Sequence, residues 1–257
     1  MTDATSRSVT EPPAEPSEQE RGSRRSQRGI LLFLRDLIVI FLIAILISFL
    51  VKTFLIRPFW IPSESMSDTL QVDDRVIVSL LTPDVIPLSH GNIVVFEDPG
   101  GWLQDPPKTN EDTGFMRVVD DVLTFIGLAP DNSHGYLIKR VIGLPGDTVA
   151  CCTDFGQLTI NGLPIDEPYL ELPDPSYAAS GVDFSVTIPE GAVWVMGDNR
   201  YRSADSRAHQ DDPHGGTVPI DNIVGRAVVV SWPLSHWTWL DSFADVYEGV
   251  EEAQGAQ

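Results

Sequence analysis

Ser65 and Lys139 are the residues of this chain best suited to chemistry. A serine hydroxyl becomes a nucleophile when a base takes its proton, and a lysine amine can be that base if it is neutral. Ser65 lies in Ile61-Pro62-Ser63-Glu64-Ser65-Met66, and Lys139 in Tyr136-Leu137-Ile138-Lys139-Arg140-Val141-Ile142. In an extended segment Leu137 and Val141 share the face of Lys139, so apolar neighbours desolvate the ammonium and lower its pKa. Ser63 stands two positions before Ser65 and shares its face in extended backbone. Its hydroxyl could donate to an oxyanion forming beside Ser65 Oγ. Each residue also has a plainer reading. A serine in a Pro/Ser segment is commonly a turn residue, and a lysine on an edge strand commonly guards against aggregation.

A third polar segment follows an apolar stretch at 192–196: Gly197-Asp198-Asn199-Arg200-Tyr201-Arg202-Ser203-Ala204-Asp205-Ser206-Arg207. It could be surface. It could also support the site, with Ser203 hydrogen-bonding the lysine and Asp205 pairing with Arg207.

The elements that must position these residues begin with an apolar run. Residues 37–51 carry no charge and one polar side chain, Ser48. Lys52 can snorkel, so the run continues to Ile56. Twenty helical residues span about 30 Å, enough for the hydrocarbon core of a bilayer. A cleaved leader fits poorly, because the run lies far from the N-terminus and no small-x-small site follows it. A buried soluble helix is the remaining alternative. Arg21, Arg24, Arg25, Arg28 and Arg35 precede the run, which predicts a cytoplasmic N-terminus and a single-pass topology with the bulk of the chain outside. Residues 1–29 are polar and read as a disordered tail.

Charge is unevenly divided. Residues 1–57 carry 8 Lys+Arg and 6 Asp+Glu, a net +2; residues 58–257 carry 9 and 31, a net −22. So acidic a domain, without a basic stripe, is excluded as a nucleic-acid binder. Cys151 and Cys152 are adjacent and leave two options open, a vicinal disulfide or two free thiols.

The texture after Pro58 is β. The pattern predicts strands at 75–80, 92–96, 136–142, 148–152, 158–160, 192–196 and 224–231, with a tight turn at Asn161-Gly162. Phe115, Val118, Val119, Val122, Leu123 and Ile126 follow helical spacing; packing over the sheet suits them better than membrane docking, given Asp120 and Asp121. His209 and His214 bracket Asp211 and Asp212, but histidines in so polar a loop read as solvated rather than metal-binding. No cofactor motif is present in the sequence.

Taken together, these segments resemble the type I signal peptidases, membrane-bound serine endopeptidases with a Ser–Lys dyad. The resemblance covers most of 37–230. It rests on the order of an apolar span, Ser63-Glu64-Ser65-Met66, Asp74-Arg75-Val76-Ile77-Val78, Lys139-Arg140-Val141-Ile142-Gly143-Leu144-Pro145-Gly146-Asp147 and the segment from Gly197 to Arg207. It implies a mainly β fold. An all-β catalytic core would occupy 58–147 and 191–240, with a small inserted β lobe at 148–190. A transmembrane anchor at 30–57 would precede it, and a flexible tail at 241–257 would follow.

The resemblance implies Ser65 as nucleophile, Lys139 as general base, Ser63 with the Ser65 N–H as oxyanion hole and Ser203 as the residue orienting the lysine. Arg140, Asp198, Asp205 and Arg207 would be structural supports. Phe59, Ile61, Met66, Leu70 and Ile138 would line shallow pockets for small side chains. No metal or cofactor is implied. The partners would be signal peptides of exported preproteins and the lipid bilayer, close to the export machinery. The family reads Ser-Met-x-Pro-Thr-Leu where this chain has Asp68 in place of proline. Asp can hold a turn through its side chain, so activity is expected to survive. Two rivals remain: a Ser–Lys peptidase with one dedicated substrate, and an anchored β domain that binds extended peptides without cutting them.

Overall fold

A computed structural model describes residues 18–67, 69–103, 135–170, 172–174 and 176–255, with side-chain surroundings for those between 32 and 250. The helical spacing expected at 115–126, Asp68, and residues 1–17 of the polar tail lie outside the described residues.

The chain divides into two compact units between Ser48 and Phe49. The first carries most of a helix, α1 (Glu18–Phe54), in which the stretch Leu32–Phe54 is strongly apolar, Arg35, Asp36 and Lys52 being its charged residues, and none of its apolar window is buried by protein. This corrects the tail boundary at 29, since the helix starts at Glu18. It also corrects the anchor's far end. Leu favours the helix, and Lys52 in its last turn complements the helix dipole. The helix ends at Phe54, and one residue later β1 (Ile56–Trp60) begins; Pro58, which would break a helix, is tolerated on this edge strand.

The second unit holds two antiparallel sheets. The larger uses β1, β2 (Arg75–Ser79), β3 (Ile93–Glu97), β4 (Tyr136–Gly143), β9 (Ala192–Met196), β10 (Val218–Pro219), β11 (Ile223–Trp232) and β12 (Thr238–Trp239). Its order is β1-β2-β11-β3-β4-β9-β10, with β12 on β11. The smaller, ordered β7-β6-β5-β8, consists of β5 (Thr148–Cys151), β6 (Leu158–Ile160), β7 (Leu163–Pro164) and β8 (Phe184–Thr187). Asn161 and Gly162 link β6 to β7 at φ of 55° and 80°, the mirror-image turn that matches strand twist.

Burial explains the strand sequences. β3 reads Ile-Val-Val-Phe because both its faces are covered. Ile93 and Val95 join Phe59, Val76, Val78 and Ile138 in one core, while Val94 and Phe96 join Val141, Val193 and Val195 in another. A third core runs from the small sheet to β9, through Val149, Leu158, Ile160 and Trp194.

That third core also holds Tyr247 and Val250. They belong to a C-terminal helix, α2 (Ala244–Gly255), which overturns the expected flexible tail at 241–257. Asp245 and Glu248 are exposed on it, while the Tyr247 hydroxyl lies 2.7 Å from that of Tyr169. Cys151 and Cys152 are joined to each other as a vicinal disulfide at the end of β5.

Candidate active site

After β1 the chain stays extended through Ser63, then makes a single 3-10 turn at Glu64–Met66. This turn presents the nearly buried Ser65. Lys139 projects from the middle of β4, whose neighbours β3 and β9 fix its register: Val94 pairs with Lys139, and Met196 with Arg140. The two functional groups meet across 74 residues of sequence, with Lys139 Nζ donating to Ser65 Oγ at 2.6 Å. Nζ also donates to the Ile138 carbonyl at 2.9 Å.

Burial controls the lysine's charge. Desolvation pulls its pKa down from 10.5 to about 8, against the pull of the Asp205 and Asp198 carboxylates in the other direction. A sizeable neutral fraction then exists near physiological pH, as a lysine base requires. Ser63 Oγ stands 3.3 Å from Ser65 Oγ.

The supporting charges are held by pairing. Arg140 and Asp198, both fully buried, form a two-pronged bridge: Nε to Oδ1 at 2.8 Å and Nη2 to Oδ2 at 2.7 Å. Arg140 also donates to the Gly91 carbonyl at 2.8 Å and lies over the Tyr169 ring at 4.0 Å. Arg207 grips Asp205 through Nε and Nη2, each at 2.8 Å, and the Gly197 N–H donates to the same carboxylate at 2.9 Å. Burial alone would raise the Asp205 pKa; Arg207, the Gly197 N–H and the nearby Ser203 hydroxyl hold it below the usual carboxylate range.

The sequence reading set Ser203 to orient the lysine. Its buried Oγ makes no hydrogen bond of good geometry, and none joins it to Lys139. It packs against Gly197, where an added Cβ would come within 2.3 Å of Ser203 Oγ and 2.4 Å of the Ser65 carbonyl oxygen. Only glycine lets this loop press so closely on the turn that carries Ser65.

An apolar cavity of about 400 Å³ opens beside the pair, with Ser63 and Lys139 in its lining. Phe59, Ile61 and Ile138 line it with Val95, Leu103 and Tyr136, whose ring meets Phe59 edge-on at 5.4 Å. Met66 and Leu70 do not. Both are fully buried in the core cluster that also holds Phe59, Ile61 and Ile138. The sequence reading also missed Glu167 and Tyr169. Glu167 forms a buried pair with Arg200, which in turn donates to the Gly197 carbonyl at 3.0 Å. Nothing in the local sequence marks Glu167, which reaches the site only through the fold. His209 stacks on Trp102 with ring centres 4.5 Å apart and lies 3.1 Å from Asp212.

The family model described as "Signal peptidase, peptidase S26" matches residues 34–232, most of the chain. The chain belongs to that family. The signal peptidase I of Mycobacterium tuberculosis (strain H37Rv) is 40% identical over 240 residues, covering 87% of this chain and 79% of its own. The probable signal peptidase I of Mycobacterium leprae (strain TN) is 39% identical over 222 residues, 77% of this chain and 76% of its own. A solved signal peptidase I from Enterococcus faecalis V583 aligns over 54% of this chain and 95% of its own, at 24% identity and a TM-score of 0.33. Membership of the signal peptidase family makes the chain a peptide hydrolase of signal-peptide processing.

Proposed function

We propose that this signal peptidase is a membrane-anchored serine endopeptidase that cuts exported preproteins after a small-x-small site, with a Ser65–Lys139 dyad. The observation that carries the proposal is the 2.6 Å approach of Lys139 Nζ to Ser65 Oγ, with the lysine desolvated to a pKa of about 8. Neutral Lys139 takes the proton of Ser65 Oγ as the oxygen attacks the scissile carbonyl. The Ser65 N–H and the Ser63 hydroxyl stabilise the resulting oxyanion. The lysine returns its proton to the leaving amine, which frees the mature chain. The signal peptide, held as an ester on Ser65, is released by water that Lys139 deprotonates.

The edge of the large sheet suits an extended substrate. Among the described residues β1 is an edge strand, and the cavity follows its continuation through Pro62 and Ser63. An extended peptide can add along such an edge, with alternate side chains entering the cavity together. The preference for small residues is supported by the family and by the bulk of Phe59, Ile61 and Ile138 around the cavity.

Membrane attachment is supported by the uncovered apolar stretch Leu32–Phe54, whose 23 residues correspond to about 34 Å of helix. The orientation, N-terminus cytoplasmic and catalytic unit outside beside the export machinery, is supported by the arginines preceding the stretch. Trp60 and Trp232, both exposed, pair with Arg75 from its two sides, and Trp237, just before β12, and Trp239, on β12, are also exposed. Exposed Trp with Arg is the composition of a bilayer interface.

Detergent-solubilised protein should cut a secretory precursor after a small-x-small site, and both Ser65→Ala and Lys139→Ala should abolish cutting while keeping the fold. Full activity in Lys139→Ala would mean another base. Failure of the wild type on several precursors would favour a dedicated substrate.

A further inference from the structure

The 3-10 turn that carries Ser65 is three residues long and lacks a side-chain cap from Ser63. So short a turn has little stability of its own. Its position must be imposed from outside, and the bonds that impose it converge on one residue. The Asn199 N–H donates to the Ser65 carbonyl at 3.1 Å. The Asn199 Nδ2 donates to the Glu64 carbonyl at 3.1 Å and to Ser67 Oγ at 2.7 Å. Ser67 Oγ closes the triangle by donating to the Glu64 carbonyl at 2.7 Å. A carbonyl can only accept, so the amide nitrogen, not the oxygen, must face Glu64.

We infer that Asn199 is a positioning residue for the nucleophile, fixing the Ser65 turn to the loop that leaves β9 so that Ser65 Oγ stays within reach of Lys139. The inference rests on the Ser–Lys reading above. Asn199 sits three residues past the end of β9, and β9 pairs directly with β4, the strand that carries Lys139. Nucleophile and base are thereby referred to one frame. The adjacent Asp198 N–H adds a contact to Met66 Sδ at 3.4 Å, on the same turn. Asn199 lines no part of the apolar cavity and makes no bond to Lys139. It acts on the alignment of Ser65 without touching the substrate's side chains or the lysine's surroundings. Small misalignments of reacting atoms are costly in rate.

The full-length protein in detergent micelles provides the test, with wild type, Asn199→Ala, Asn199→Asp and Ser65→Ala compared on one precursor. Asn199→Ala should lower kcat about tenfold or more, by misalignment of the nucleophile. KM should stay within about twofold, and the pH midpoint of activity should stay near that of wild type, because cavity and lysine are untouched. Asn199→Asp keeps the size and the N–H but sets a carboxylate against the Glu64 carbonyl. It should show the same split, and it carries the test if the alanine variant does not fold. A kcat within twofold of wild type in both variants would overturn the positioning role. So would a parallel rise in KM and fall in melting temperature, which would mark Asn199 as merely structural. Cutting that survives Ser65→Ala would overturn the Ser–Lys reading itself, an outcome distinct from either.

Discussion

Lys139 Nζ and Ser65 Oγ are 2.6 Å apart, and the lysine is walled off from water on a central strand. The hydrogen bond alone would favour a charged amine. Burial outweighs it and the two neighbouring carboxylates, and sets the pKa at about 8. The lysine is therefore poised between donor and base, and the consequences can be measured.

Ser63→Ala should lower kcat by about 10²-fold or more while leaving KM nearly unchanged, because the lost hydroxyl matters only when the oxyanion forms. Steady-state kinetics on a peptide spanning a cleavage site checks this. Equal losses in kcat/KM through KM alone would place Ser63 in ground-state binding instead.

The lysine's depressed pKa is also a statement about stability. Between about pH 8 and 10.5 the unfolded chain binds the proton and the folded chain does not, so this group makes stability rise with pH across that window. Below it the folded state carries a buried ammonium at a cost of up to about 3 kcal/mol. Lys139→Met should therefore be more stable than wild type at pH 7, with the advantage shrinking toward pH 10, while activity is lost. Denaturant unfolding at several pH values measures both.

How far the sequence reaches is clear from particular residues. The seven strands it predicts lie within one or two residues of β2–β6, β9 and β11, because alternating β-branched residues and Gly/Pro breaks mark them. The Ser65–Lys139 approach was legible from the order of the motifs, and the family match bears out the resemblance. Strand β1 was not, because its Ile56 continues the apolar run of the helix and only Pro58 signals a change. Met66 and Leu70 were set in the cleft by resemblance alone, and the structure shows them fully buried in the core that also holds Phe59, Ile61 and Ile138. Ser203 was placed by resemblance against the lysine; its buried hydroxyl packs on Gly197 and makes no hydrogen bond to Lys139. Helix α2 was hidden because its inward Val246, Tyr247 and Val250 are interspersed with acidic residues, and Tyr169, which meets Tyr247, is 78 residues away.

Truncation before Ala244 should accordingly destabilise the catalytic unit by about 2–5 kcal/mol, since it leaves a cavity where Tyr247 and Val250 pack. A thermal melt of the truncated protein checks this. An unchanged melting temperature would restore the view of this segment as a loose tail.

Asp198→Ala should cost about 3–5 kcal/mol, because it strands the fully buried Arg140 guanidinium without its carboxylate. The same change removes a charge that raises the Lys139 pKa, so any remaining activity should rise at a lower pH than in wild type. Unfolding in denaturant and a pH–rate profile report the two effects separately.

The most direct test of the account is the pH dependence of kcat/KM for precursor cleavage by the detergent-solubilised wild type. The lysine-base mechanism predicts an activity that rises with pH through a single midpoint of about 8. A profile flat from about pH 6 to 10, or a midpoint at the ordinary lysine value of about 10.4, would contradict it.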